Sequence, residues 1–304
     1  MTKKLVKITG MILAASLLMG ACGNGDKKDN QTDGGKVTVL STGFAGYDFA
    51  REVGKDKVDA ELLLPPGVEC HGYEPAPKDI KRIKDADIFV YVGGESEDWI
   101  SEILKSAGRK TGNVKLLDAG EIITHEDGDV DEHVWLSLKN AEKCTDKICD
   151  AIIKKDPDNK DFYKANASAY KEKLQALDDA YKAMVKNAKR DTIAVGDRFP
   201  YMYLVQPYGI RYESAIPGCV GEAEASAASV AHVTDFIKDN HIPVVFHTEM
   251  SHDKVCASIA EATGAKSETL YAIHNVTPED YKKGRTYLDF MKHNLEKLKE
   301  ALNE

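Results

Sequence analysis

Four histidines stand out by what precedes them in the chain. His71 follows the apolar run and Pro-Pro-Gly of "LLLPPGVECHGYEP", and His133 lies in "DVDEHVWL", just past "VKLLDAG". His247 is near the end of "VVFHTE", and His274 ends "ETLYAI". Imidazole nitrogen and carboxylate oxygen are the donors zinc takes in a tetrahedral shell, and ligands distant in sequence are normal when a fold converges them. A lone loop histidine is usually a solvated polar residue. The coinciding strand-end positions, and the rigid Pro65-Pro66-Gly67 turn that holds His71 at low entropic cost, favour ligation for His71, His133 and His274. Strand alternation leaves His247 ambiguous beside Thr248 and Glu249, so it is read as structural. His125, His232, His241, His252 and His293 fall on helices or loop surfaces and receive the same reading.

For such residues to meet, the fold must bring several strand ends to one place. From Lys36 the pattern is strand then helix: "KVTVLST", "VDAELLLPP", "DIFVYVGG" and "VKLLDAG" are strands separated by the helices "AGYDFAREVG", "APKDIKRIKDA" and "EDWISEILKSA". Short apolar strands alternating with helices of about ten residues indicate parallel βαβ layers. After the turn "KKDPDNK", the apolar residues Tyr163, Tyr170, Leu174, Leu177, Tyr181, Met184 and Ala188 step by sevens, fours and threes, which puts them on one helical face. A helix over 160–188 would span about 43 Å at 1.5 Å per residue.

The second half repeats the alternation. Its strands are "DTIAVGD", "IRYESAI", "IPVVFHTE" and "SETLYAI", and its helices are "PYMYLVQPYG", "ASAASVAHVTDFIKDN", "HDKVCASIAEATG" and "GRTYLDFMKHNLEKLKEALN". The expected fold class is α/β: two similar lobes, 36–158 and 191–304, each a parallel sheet flanked by helices, joined by one long rigid helix over 159–190. Open parallel sheets bind ligands at the carboxyl ends of their strands, so a shared site belongs in the cleft between lobes.

Composition bounds the function. The chain has 304 residues, 42% hydrophobic and 30% charged, the profile of a soluble globular body. Residues 1–21 carry Lys3, Lys4 and Lys7 ahead of an apolar run, the layout of a secretory signal too short to span a membrane. Small residues ending at Cys22 make it resemble a bacterial lipoprotein signal, cleaved so that Cys22 carries lipid, although Met19 stands where leucine is more usual. The polar stretch 22–35 reads as a flexible tether. The expected location is extracytoplasmic, lipid-anchored to the outer face of the cell membrane.

Without residues 1–21 the net charge moves from −9 to −12, a poor match for nucleic acid and a good one for cations. Beyond Cys22 there are five cysteines, an odd number that cannot all pair internally. Cys144 and Cys149 are five apart on one expected helix, a poor disulfide spacing, and are read as packing residues.

"LLLPPGVECHGYEPAPKDIKRIKDADIFVY", "DEHVWLSLKNA", the long connecting helix and "GRTYLDFMKHNLEKLKEAL" resemble the cluster A-I lipoproteins that feed zinc or manganese to ABC transporters, in a clostridial-type variant. The resemblance covers essentially the whole mature chain and implies His71 and His133 as the N-lobe ligands. In that family a His or Glu before an Asp supplies a third ligand; here "AVGDRFPYMYL" has Gly196 at that place and keeps Asp197. An Asp near the last strand supplies the fourth, approximately matched by His274 with a one-residue shift. The implied set is His71, His133 and His274, completed by Asp197, Glu249 or water. Three imidazoles suit Zn2+ better than Mn2+, which remains the alternative. Cys70, next to His71, points elsewhere if the backbone is extended. The implied partners are an ABC permease and its ATPase, with the protein itself a monomer.

Other readings stay open at this level. Zinc held by three histidines with an open position also activates water, yet the chain has no HExxH, GxSxG or phosphate loop, so an enzyme is not expected. A metal-binding adhesin is the third reading. The loop "THEDGDVDEH" could gather cations at the cleft mouth. It is no EF-hand, because Glu132 and Leu138 occupy the places that need Gly and Glu. Because imidazoles must be neutral to ligate, metal affinity is expected to fall below about pH 6.

Overall fold

The computed structural model describes residues 35–70, 72–125, 128–218, 225–251 and 254–304. The expected signal segment, the lipidation residue Cys22, His71, Cys219 and His252 lie outside the described residues. Among the described residues no helix is long and apolar enough to cross a membrane.

The N-terminal sheet comprises β1 (Val37–Ser41), β2 (Val58–Leu62), β3 (Ile88–Tyr91) and β4 (Asn113–Lys115), in the order β2-β1-β3-β4. The C-terminal sheet comprises β5 (Thr192–Arg198), β6 (Arg211–Ile216), β7 (Val244–His247) and β8 (Lys266–Thr269), in the equivalent order β6-β5-β7-β8. All strand pairings within the two sheets are parallel. Parallel strands covered on both faces read as continuous apolar runs, as "IFVY" in β3 and "VVF" in β7 do. In each sheet the chain reverses its direction of winding beside the first strand, so the β1/β3 and β5/β7 ends are the natural ligand crevices.

The helices are α1 (Phe44–Gly54), α2 (Pro77–Asp85), α3 (Trp99–Ser106), α4 (Leu138–Lys155), α5 (Lys160–Lys186), α6 (Met202–Val205), α7 (Ala227–Asn240), α8 (Lys254–Thr263), α9 (Pro278–Lys282) and α10 (Tyr287–Asn303). The connecting helix is α5, with 27 residues, about 40 Å at 1.5 Å per residue. Its buried face carries Tyr163, Tyr170, Leu174, Leu177, Tyr181 and Met184, the stripe that the periodicity indicates. One apolar core runs from Val37 in β1 through α1, α4 and α5 to Leu302 in α10. Accordingly Lys36–Glu304 form one compact unit with two sheets.

Local chemistry sets the boundaries. Ser137 Oγ accepts from Asn140 N at the start of α4, and Thr286 and Asp289 form a reciprocal capping box on α10. The helix expected over "PYMYLVQPYG" is shorter than its sequence suggests. It ends at Val205 and tightens into a 3-10 turn at Gln206–Tyr208, because Pro207 offers no N–H to continue the ladder. The expected strand "SETLYAI" stops at Thr269. Ile273 adopts φ 60°, which no strand accommodates. Cys144 and Cys149 are buried on α4, as packing residues should be.

Candidate metal centre

His133 opens a single 3-10 turn, Val134–Leu136, whose three side chains are buried. The apolar "VWL" anchors the turn in the core and carries the histidine in with it. Asp131 Oδ1 accepts from His133 N at 2.9 Å and from His133 Nδ1 at 2.8 Å. With Nδ1–H donating to the carboxylate, the neutral ring is fixed in orientation and in the tautomer whose Nε2 carries no proton. Asp131 Oδ2 lies 3.3 Å from His125 Nε2. Burial pushes the Asp131 carboxyl up, but the charge His133 and His125 carry when protonated, together with the His133 hydrogen bonds, outweighs it and holds the group below the usual carboxylate range.

His274 comes from the irregular segment after β8. Leu270 N still donates to His247 O and Tyr271 N to Asn294 Oδ1, both within the C-terminal lobe. From there the segment crosses to the N-terminal lobe. Trp135 Nε1 donates to Ala272 O at 2.8 Å, and Phe44 N donates to His274 O at 2.8 Å. Asn275 Nδ2 donates to Pro65 O and Val68 O, and Gly67 N donates to Val276 O. The result is that the His133 and His274 rings meet edge-on with centroids 4.8 Å apart, and Trp135 backs His274 at 4.5 Å. Nε2 of both imidazoles is buried.

The remaining expected residues are placed differently. Asp197, near the end of β5, accepts through Oδ2 from Thr248 N at 3.0 Å and Thr248 Oγ1 at 2.8 Å. Glu249 accepts from Ala272 N through Oε2 at 2.8 Å and from Ile273 N through Oε1 at 2.7 Å. Gly196 lies against α8: a Cβ there would come within 2.9 Å of Cys256 Sγ. These residues and His274 line one crevice of about 500 Å³ at the β5/β7 end. His247 turns away, its Nδ1 donating to Thr248 O at 3.0 Å.

Two acids of the loop expected to gather cations have other partners. Asp131 holds His133, and buried Glu132 accepts from Ser96 N at 2.8 Å and from Ser96 Oγ. Glu97, which lines a small cavity together with His274, is pushed up to about 7 by burial, against a lowering bond from Gly93 N. Among the described residues no group of three His, Cys, Asp or Glu is set to hold an ion. A closed shell on His133 and His274 therefore needs donors beyond these two. Sequence reasoning missed Asp131 and Trp135; the acid two residues before the histidine in "DEH" was the available signal.

A family model described as zinc-uptake complex component A, periplasmic, matches residues 39–301. The high-affinity zinc uptake system protein ZnuA of Bacillus subtilis is 36% identical over 96% of both chains. The zinc-binding lipoprotein AdcA of Streptococcus pneumoniae is 33% identical, and the match takes in 98% of this chain but 62% of AdcA. Among solved structures, the metal-dependent lipoprotein YcdH from Bacillus subtilis superposes with a TM-score of 0.77 at 35% identity, over 88% of this chain and 99% of that one. The Zn(II)-bound ZnuA-like domain of Streptococcus pneumoniae AdcA gives 0.77 at 33% identity, over 89% and 100%. With this match running through both sheets and the helix between them, the chain belongs to the ZnuA family of periplasmic zinc-uptake components.

Proposed function

We propose that this protein captures Zn2+ outside the cytoplasmic membrane and delivers it to an ABC permease driven by its ATPase, as a monomer held at the membrane by lipid on Cys22. The observation that carries the reading is the meeting of His133 and His274 at 4.8 Å between ring centroids, with Asp131 setting the His133 tautomer. His71 is the third imidazole. Asn275, adjacent to His274, bonds Val68 O, and the three-residue step from Val68 to His71 spans at most about 10 Å of extended chain. Water or Asp197 completes the shell, and the imidazole-rich donor set favours zinc over manganese.

Elemental analysis of protein purified without chelators tests this. Wild type is expected to carry one equivalent of zinc, and His133→Ala and His71→Ala to lose it. Wild type that retains no zinc after exposure to micromolar ZnCl2 would refute the reading.

A further inference from the structure

Glu249 is placed by its sequence position among the acids that could touch the metal, but its geometry gives it another task. Both of its oxygens accept backbone N–H bonds, from Ala272 at 2.8 Å and from Ile273 at 2.7 Å. Ile273 is fully buried and has φ 60°. A β-branched residue at such an angle is a genuine outlier, because its Cβ crowds the following carbonyl. Strained residues persist only where the surroundings over-determine them. The next residue is His274. A carboxylate receiving two consecutive N–H groups makes a pair of charge-assisted bonds and holds the chain in the turn that aims His274 at His133.

We infer that Glu249 is a positioning residue: its carboxylate clamps Ala272 and Ile273 in a strained turn and so aims the His274 ring into the zinc site, without ligating the ion. The inference rests on the zinc-capture reading for its affinity arm only. The clamp also links the lobes, since Glu249 follows β7 of the C-terminal sheet while the segment it grips is bonded to Trp135 and Phe44 of the N-terminal lobe.

The test is a set of variants on the full chain, read by zinc competition titration and by NMR of the zinc-free protein. Gln at 249 keeps the shape but turns one acceptor into a donor, facing an N–H. Glu249→Gln is expected to weaken zinc binding by about 10–100-fold, the usual effect of losing a partner that orients a ligand, and to abolish the ring-to-ring contacts between His133 and His274. Adding Ile273→Gly, which takes φ 60° without steric cost, is expected to restore most of the affinity and the ring contacts. In a His274→Ala background, Glu249→Gln is expected to add nothing further, because the two act through one group.

A further loss in that background would show that Glu249 binds the ion itself, and failure of glycine to rescue would show that the strained angle at 273 is not what the carboxylate holds; either result would overturn the inference. Unchanged affinity and ring contacts in Glu249→Gln would overturn it too. Should wild type fail to bind zinc, the transport reading falls, and the zinc-free NMR comparison still decides the clamp.

Discussion

At the residue scale, the two imidazoles in view are held by unlike means. His133 is fixed by a neighbour two positions away, Asp131, whose one oxygen takes both the backbone N–H and the ring N–H. His274 is fixed by residues distant in sequence: Glu249, Phe44 and Trp135. Gly196 stands at the place expected of a third ligand, and the packing of α8 explains what the glycine does here. An alanine Cβ would meet Cys256 Sγ at 2.9 Å and Cys256 Cα at 3.2 Å. Cys256 is itself buried and donates to Phe246 O, so the helix cannot yield by a rotamer change. Gly196→Ala is expected to cost about 1–3 kcal/mol, as overpacked cores do, measured as a shift of the urea midpoint. No loss of stability in that variant would mean α8 moves aside, which would reopen position 196 to a ligating side chain.

At the scale of elements, α5 joins the sheets through one continuous apolar face and packs against α1, α4 and α10. Its mid-face residue Leu174 is fully buried. Truncation to Leu174→Ala leaves a cavity that the surrounding helices cannot fill, with an expected loss of about 2–5 kcal/mol in chemical denaturation. None of the expected ligands is carried by α5, so zinc stoichiometry in the folded variant is expected to match that of wild type. The periodicity made this helix and its buried stripe readable. The departure at α6 came from one residue, Pro207 without its N–H, whereas the one after β8 came from tertiary bonds, with Tyr271 N drawn to Asn294 and Ala272 N and Ile273 N to Glu249.

For the whole molecule, the lobes share a core and are further tied by buried polar bonds. Asp48 on α1 is fully buried; its Oδ2 accepts from Tyr287 N at the start of α10, and Oδ1 faces Arg51 at 3.2 Å. Burial pushes its carboxyl up to about 6, the bond from Tyr287 and the Arg51 charge opposing this. An unfolded aspartate titrates near 3.9, so between about pH 4 and pH 6 the native state holds a proton that the unfolded chain releases. The stability this group contributes is therefore full below about pH 4 and is lost as pH rises through about 6. Asp48→Asn keeps an acceptor for Tyr287 N without a charge. Relative to wild type it is expected to gain up to about 3 kcal/mol at pH 7 to 8, from roughly two pK units at 1.36 kcal/mol each, and nothing at pH 4. Urea denaturation across that range measures it, and a difference that does not change with pH would reject the assignment.

The strand ends expected for His133 and His274 are not where those residues lie: one opens a 3-10 turn well past β4, and the other sits in the irregular segment after β8. The chain's own order of residues nonetheless determined the alternation of short apolar strands with helices and the single long amphipathic helix. These are set by periodicity and by turn chemistry within about ten residues, which any local window contains. What only the tertiary structure decided is the company those histidines keep. Whether a carboxylate meets a cation or two backbone amides depends on contacts between residues such as 249 and 272, or 44 and 274, which no local pattern specifies. The same holds for Gly196, whose role is a distance to a helix some sixty residues further on.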